Sequence, residues 1–158
     1  AAGQDCSLST VAISPKADGA ALLLLASPAA CQRWQLQPRA HWLGAVSVGA
    51  APETPMLAAQ CAALQLLQRH GLQAAALQVL ELHDAFAAQA LVFAQALGVP
   101  LAALNRHGGG LARGHPIGAS GAIALVQALA QLQPGQTGLA AIAGAGGLGS
   151  AVLVRLGL

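Results

Sequence analysis

The residues best suited to chemistry lie between Asn105 and Gly121, a stretch that reads N-R-H-G-G-G-L-A-R-G-H-P-I-G-A-S-G. His115 stands there between glycine-dense turns and a helix expected to begin near Gly118. An imidazole titrates near neutral pH, so it can give or take a proton under ordinary conditions. Glycines let backbone approach a ligand, Pro116 fixes the exit of the turn, and the helix start offers free N–H groups. Four glycines between Gly108 and Gly114 would weaken a core element, because each loses more backbone entropy on folding than alanine would. The stretch reads as a site rather than a scaffold.

Two other features could share its pocket. His83-Asp84 follows a short apolar run, and Asp84 can cap the helix expected after it. Gly144-Ala145-Gly146-Gly147-Leu148-Gly149 offers backbone N–H groups of the kind that hold an oxyanion, but a hairpin turn between two apolar strands uses glycine equally well. Arg106 and Arg113 flank the histidine loop and are of a type that meets phosphate, although loop arginines often need no ligand. His107 belongs to the solvent end of the loop, and His41 and His70 read as structural or exposed. His83, His107 and His115 lack a thiolate or an i, i+4 pair, so no metal is expected.

The elements that must position these residues follow from periodicity. Ala20–Ala26 is a short continuous apolar run, as in a strand buried on both faces, and Pro28 opens a helix to about Gln35. His41–Val48 is a second strand. Met56–His70 is a helix with Leu57, Cys61, Leu64 and Leu67 on its apolar side, stopped by Gly71. Val79–Leu82 is a strand with His83-Asp84 at its carboxyl end, the end where open α/β sheets gather ligands. Phe86–Leu97 and Gly118–Leu132 are helices, the latter with Ile123, Val126, Leu129 and Ala130 on one side. Gly138–Ala143 and Ser150–Leu156 form a terminal hairpin. Alternating strands and helices make this an α/β chain, with a mixed five-stranded sheet covered by helices on both faces.

Composition narrows the classes further. The 158 residues are 56% hydrophobic but only 8% charged, so much of the surface is expected to be hidden in an oligomer or against a missing partner domain. A net charge of +2 with scattered arginines is no nucleic-acid footprint, and with two Trp, two Phe and no Tyr there is no base-stacking platform. No run reaches the roughly 18 residues needed to span a membrane, and no basic signal head precedes Ala20–Ala26. Cys6, Cys31 and Cys61 form no disulfide or zinc pattern, which suits a reducing cytoplasm, and Cys31 and Cys61 are expected to be buried. The chain opens on Ala1 rather than methionine, consistent with a processed product or an excised half.

The motifs resemble those of the thiolases. Gly108-Gly109 followed by Gly114-His115-Pro116-Ile117-Gly118-Ala119-Ser120-Gly121 is similar to the family's N-x-N-G-G-x-x-x-x-G-H-P-x-G-A-S-G signature. His83-Asp84-Ala85-Phe86-Ala87-Ala88-Gln89 resembles N-E-A-F-A-A-Q, Ala143–Gly149 resembles C-x-G-G-G-x-G, and Asp18-Gly19-Ala20-Ala21 resembles N-D-G-A-A-A. The H-D-x-F form resembles that of the sterol-carrier-type and archaeal enzymes. The match runs from about Ser9 to the end, so residues 1–158 are identified as a carboxyl-terminal thiolase domain.

The resemblance implies one of two similar α/β halves that pack in five layers, with the nucleophilic cysteine on the amino-terminal half, absent from this chain. It implies an acyltransferase that cleaves 3-oxoacyl-CoA or joins acyl-CoA units, with coenzyme A as substrate and no cofactor. The partners implied are acyl-CoA and a cysteine-bearing half or subunit, in a homo- or hetero-oligomer. The alternative is a noncatalytic subunit that supports an active partner. By position, His115 helps to ionise the cysteine and bonds the thioester oxygen, and His83 replaces a water-holding asparagine. The backbone N–H near Ala145 supplies an oxyanion hole, and Ser14, Phe86 and Gly114 lie against coenzyme A or substrate. Ala143 stands where the family has its second cysteine, and Ala85 fills the other place known for that thiol, so either His83 or a group from the other half supplies the proton step, or the activity is altered or lost. Ala12, Pro15 and Lys16 also depart from the family's N-A-S-G-x-N segment.

Overall fold

The structure, a computed structural model, describes residues 8–157, so Cys6 lies outside the described residues. Four strands form one mixed sheet in the order β1-β4-β3-β2. They are β1 Ala40–Gly49, β2 Val79–Leu82, β3 Thr137–Gly144 and β4 Leu148–Leu156. β3 and β4 make the expected antiparallel hairpin, β1 adds antiparallel to β4, and β2 lies parallel to β3 with Leu82 opposite Ala141. Parallel pairing brings the carboxyl ends of β2 and β3 to the same side of the sheet, so His83 and the Gly144–Gly147 turn leave from one edge.

Helices cover both faces, as the alternation of elements implied. On one face α2 (Ala58–Arg69) and α3 (Ala87–Leu97) pack on Leu80, Leu82, Leu139, Ala141, Ala151 and Leu153. On the other, α5 (Ser120–Gln131) packs Ala124, Leu125 and Ala128 on Val79, Ala140 and Val154. Two short helices complete the set: α1 (Pro28–Trp34), capped by the Ser27 side chain, and α4 (Gly110–Arg113). Gly98 closes α3 in the left-handed conformation at φ 66°.

Three expectations are corrected. The sheet has four strands, not five, because Ala20–Ala26 pairs with no strand; Leu22 is 94% exposed and Leu24 83%. The run is apolar enough for a buried strand, yet it joins neither edge strand of the sheet, β1 or β2. Next, α2 buries Ala58, Ala59, Ala62, Ala63, Leu66 and Leu67, while Leu64 and Cys61 are exposed and Cys31 is half-buried. Small alanines let a helix lie close on a sheet, which turns the face away from the larger residues that spacing alone favoured. In α5, Val126 likewise turns outward and Ala124, Leu125 and Ala128 face the core.

Candidate active site

The site is built where β2 ends. His83 is 4% exposed, and its N–H donates to the Ala141 carbonyl at 2.9 Å, continuing the sheet by one residue. Its ring faces that of His115, with centroids 4.0 Å apart and planes tilted by 33°. His115 is reached from α4 through Gly114, which takes φ 87°, a region open to glycine at little cost. A Cβ on Gly114 would also lie 2.5 Å from the Ala17 side chain. Gly110 has a related constraint: a Cβ there would stand 2.6 Å from the His83 ring. The glycines thus let α4 lie directly on the buried histidine.

Several bonds fix the loop. The Ser14 hydroxyl donates to the Gly110 carbonyl at 2.5 Å, the Ser14 N–H donates to Ala85, and the His115 N–H donates to the Pro15 carbonyl at 2.7 Å. Asp84 accepts from the Gly110 N–H at the start of α4. This corrects the expected role of Asp84 as cap of α3, whose N-cap is Phe86, without a side-chain bond. A carboxylate at the end of β2 is better used on the glycine loop lying over it, where several N–H groups converge. The Ala85 N–H is satisfied instead by Gln89 Oε1 at 3.1 Å.

Electrostatics separates the two histidines. Burial pulls the His83 imidazole down to about 4, helped by the proximity of His115 and Arg113, so His83 is uncharged at neutral pH. Its Nε2 is buried without a hydrogen-bond partner among the described residues. His115 Nδ1 lies 2.7 Å from Ser120 Oγ, and Ser120 is 2% exposed. With one nitrogen engaged, the other is left for a ligand. His115 lines a cleft of about 490 Å³ with Lys16, Ala17, Asp18, Pro116 and Ile117. Such an imidazole can take a proton from an adjacent acid or donate its N–H to a developing oxyanion.

The other named residues fall around this pair. Phe86 is half-buried at the start of α3 and bridges to Ile13, and Ser14 is half-buried with its hydroxyl committed to the loop. Ala145 lies in the exposed β3–β4 turn, at the sheet edge from which His83 also leaves. Ala143 is half-buried, next to the last residue of β3, and carries no group that moves a proton. Cys31 and Cys61 are not among the residues lining the His115 cleft. Among the described residues no three His, Cys, Asp or Glu side chains gather as a metal site, and no helix is long and apolar enough to cross a membrane.

Sequence reasoning missed two contributors. Ser120 holds His115, and the signal was a hydroxyl five residues after the histidine, at the first turn of a helix. Asn105, at φ 48°, accepts the Leu82 N–H on its side chain and donates its own N–H to Leu80, extending the outer edge of β2 where an ordinary strand partner is lacking.

The chain is similar to several known proteins. The family described as "Thiolase, C-terminal domain" matches residues 36–156. A β-ketoadipyl-CoA thiolase of Pseudomonas aeruginosa is 41% identical over 142 residues, covering 87% of this chain and 35% of that protein. An acetyl-CoA acetyltransferase of Synechocystis sp. is 39% identical over 144 residues, with the same coverage of each. The Acat5 thiolase of Ascaris suum, solved in complex with coenzyme A, superposes with a TM-score of 0.79 at 34% identity, over 83% of this chain and 34% of that one. The chain thus spans about a third of the length of these relatives. The family match covers well over half of the chain and the superposition agrees with it, so the chain belongs to the thiolase family.

Proposed function

We propose that the chain is a subunit or fragment of a thiolase-like acyltransferase, completed by a cysteine-bearing half and acting on 3-oxoacyl-CoA with coenzyme A. The observation that carries this reading is His115: it is held on Ser120, stacked on an uncharged His83, and lines an open cleft. In the cleavage direction the partner's thiol loses a proton to His115 and attacks the 3-oxo carbon. The bond between carbons 2 and 3 then breaks, carbon 2 takes a proton, and the acyl group passes from sulfur to the thiol of coenzyme A. Claisen condensation is the same sequence reversed.

The remaining assignments have defined roles in this scheme. The His115 N–H and the backbone N–H of Ala145 stabilise oxyanions, while Ser14, Phe86 and Gly114 shape the side on which coenzyme A lies. An imidazole whose conjugate acid titrates near 4 is a weak base, so His83 suits hydrogen bonding better than proton transport. The proton at carbon 2 therefore comes from His115 or from the partner half, since neither Ala143 nor Ala85 carries one. The exposed leucines of Ala20–Ala26, and the cavity of about 430 Å³ they line with Trp42, Leu125 and Leu129, support a partner half over this surface.

The test is reconstitution. Coexpressed with a cysteine-bearing amino-terminal thiolase half, the chain is expected to give acetyl-CoA release from a 3-oxoacyl-CoA that depends on added coenzyme A. His115→Ala should lower that rate by about 10²- to 10⁴-fold, the usual worth of a general acid–base group. A rate unchanged in the variant sinks the role of His115. A second reading, a noncatalytic supporting subunit, is favoured by the two alanines at the thiol positions. It predicts a stable complex without turnover.

A further inference from the structure

Glu81 is a carboxylate where none is expected. It sits on the two-sided strand β2 at 1% exposure, on the α5 side of the sheet, two residues before His83. A carboxylate so buried must be compensated by nearby donors and charge. Its Oε1 accepts from Gln131 Nε2 on α5 at 2.7 Å. Its Oε2 has no hydrogen bond among the described residues, and Arg113 Nη2 stands 4.0 Å away. Arg113 is the last residue of α4, directly before Gly114-His115, and its other terminal nitrogen donates to the Gly108 carbonyl. Instead of facing solvent for a phosphate, Arg113 is folded back onto the strand.

We propose that Glu81 and Arg113 are a positioning pair that seats α4 on β2 and thereby sets the contact between His83 and His115. A four-residue helix has too few internal bonds to hold itself in place. α4 is instead gripped at both ends from β2: Asp84 takes the first N–H at Gly110, and Glu81 faces the guanidinium at Arg113. At the first grip Gly110 passes so close to His83 that a Cβ there would stand 2.6 Å from the ring. Loss of the second grip lets the last turn lift, and His115 follows it. The pair also has an electrostatic reach. The charged or titratable groups acting on His83 are His115 and Arg113, while Glu81 feels Arg113, His107 and Asp84; burial nevertheless holds the Glu81 carboxyl above the usual carboxylate range.

The experiment is imidazole NMR on this chain alone, following the titration of His83 and the ring-to-ring contact between His83 and His115. Arg113→Met is expected to shift the His83 midpoint upward, because a neighbouring cation is gone, and to weaken the ring contact. Arg113→Lys should restore the midpoint more fully than the contact, since it returns the charge but not the planar fork. Glu81→Gln, which keeps the volume and an amide oxygen for Gln131, should weaken the contact and leave the chain folded. If Arg113→Met fails to fold, Arg113→Lys and Glu81→Gln still decide. Unchanged ring contact and unchanged His83 titration in the folded variants overturn the proposal. Because the readout needs no turnover, it stands apart from the reconstitution assay.

Discussion

At the scale of single residues, the site depends on two imidazoles held in different ways. Ser120 holds one of them, and Ser120→Ala in the reconstituted enzyme is expected to reduce kcat by about 3- to 10-fold, the worth of one hydrogen bond, with KM little changed. A fall in kcat/KM carried by KM alone would contradict this. The other, His83, sets a pH dependence of stability. Its imidazole titrates near 6.5 when unfolded and about 4 when folded, so between these values the unfolded chain binds more protons. The stabilisation is complete above about pH 6.5 and is lost as pH falls toward 4, by roughly 3 kcal/mol for a shift of that size. Burial raises Glu81 and Asp84, which therefore act in the opposite sense. His83→Asn should flatten the pH dependence of denaturant midpoints in this window, with the carboxylates common to both proteins. Equal slopes would show that His83 does not titrate as described. His115 was legible in the sequence because its neighbours are glycine and proline. Ser120 and the true role of Asp84 were not, since their partners lie across a fold that local spacing does not encode.

At the scale of elements, strand and helix positions were readable because their periods and stops agree. Gly98 ends α3 and Pro28 starts α1 where their chemistry requires. Helix faces were less readable: the buried stripe of α2 is mostly alanine, while Cys61 and Leu64, larger residues that helical spacing picks out, face outward. The sharpest constraint on an element is at the end of α4. Gly114→Ala combines a φ of 87° with a Cβ 2.5 Å from Ala17, and is expected to destabilise the chain by about 1–3 kcal/mol. A thermal melt within a degree of wild type would mean that the loop relaxes freely. Gly146→Ala is the useful contrast, because its φ is 78° but open space surrounds the site, so conformational strain alone should register.

At the scale of the whole molecule, the low charge and the exposed leucines of Ala20–Ala26 point the same way. That run was misread as a strand of this sheet because an apolar run reports only that burial is favourable, not what the segment packs against. Leu24→Asp is expected to leave the fold of the isolated chain intact, since Leu24 is 83% exposed, and to abolish copurification with the cysteine-bearing half. Retained copurification would place the interface elsewhere. The bonds from Ser14 to Gly110, from Gly110 to Asp84 and from His115 to Pro15 have a consequence for that association. All lie within this one chain, so the active-site loop is ordered before any partner arrives. Ordering a side chain at an interface ordinarily costs about 0.5–1.5 kcal/mol of entropy, and here that cost is met during folding rather than at docking. On the proposed assembly, docking of a cysteine-bearing half would meet a loop already in place, and binding energy from the apolar face would go to affinity instead of to organising the histidines.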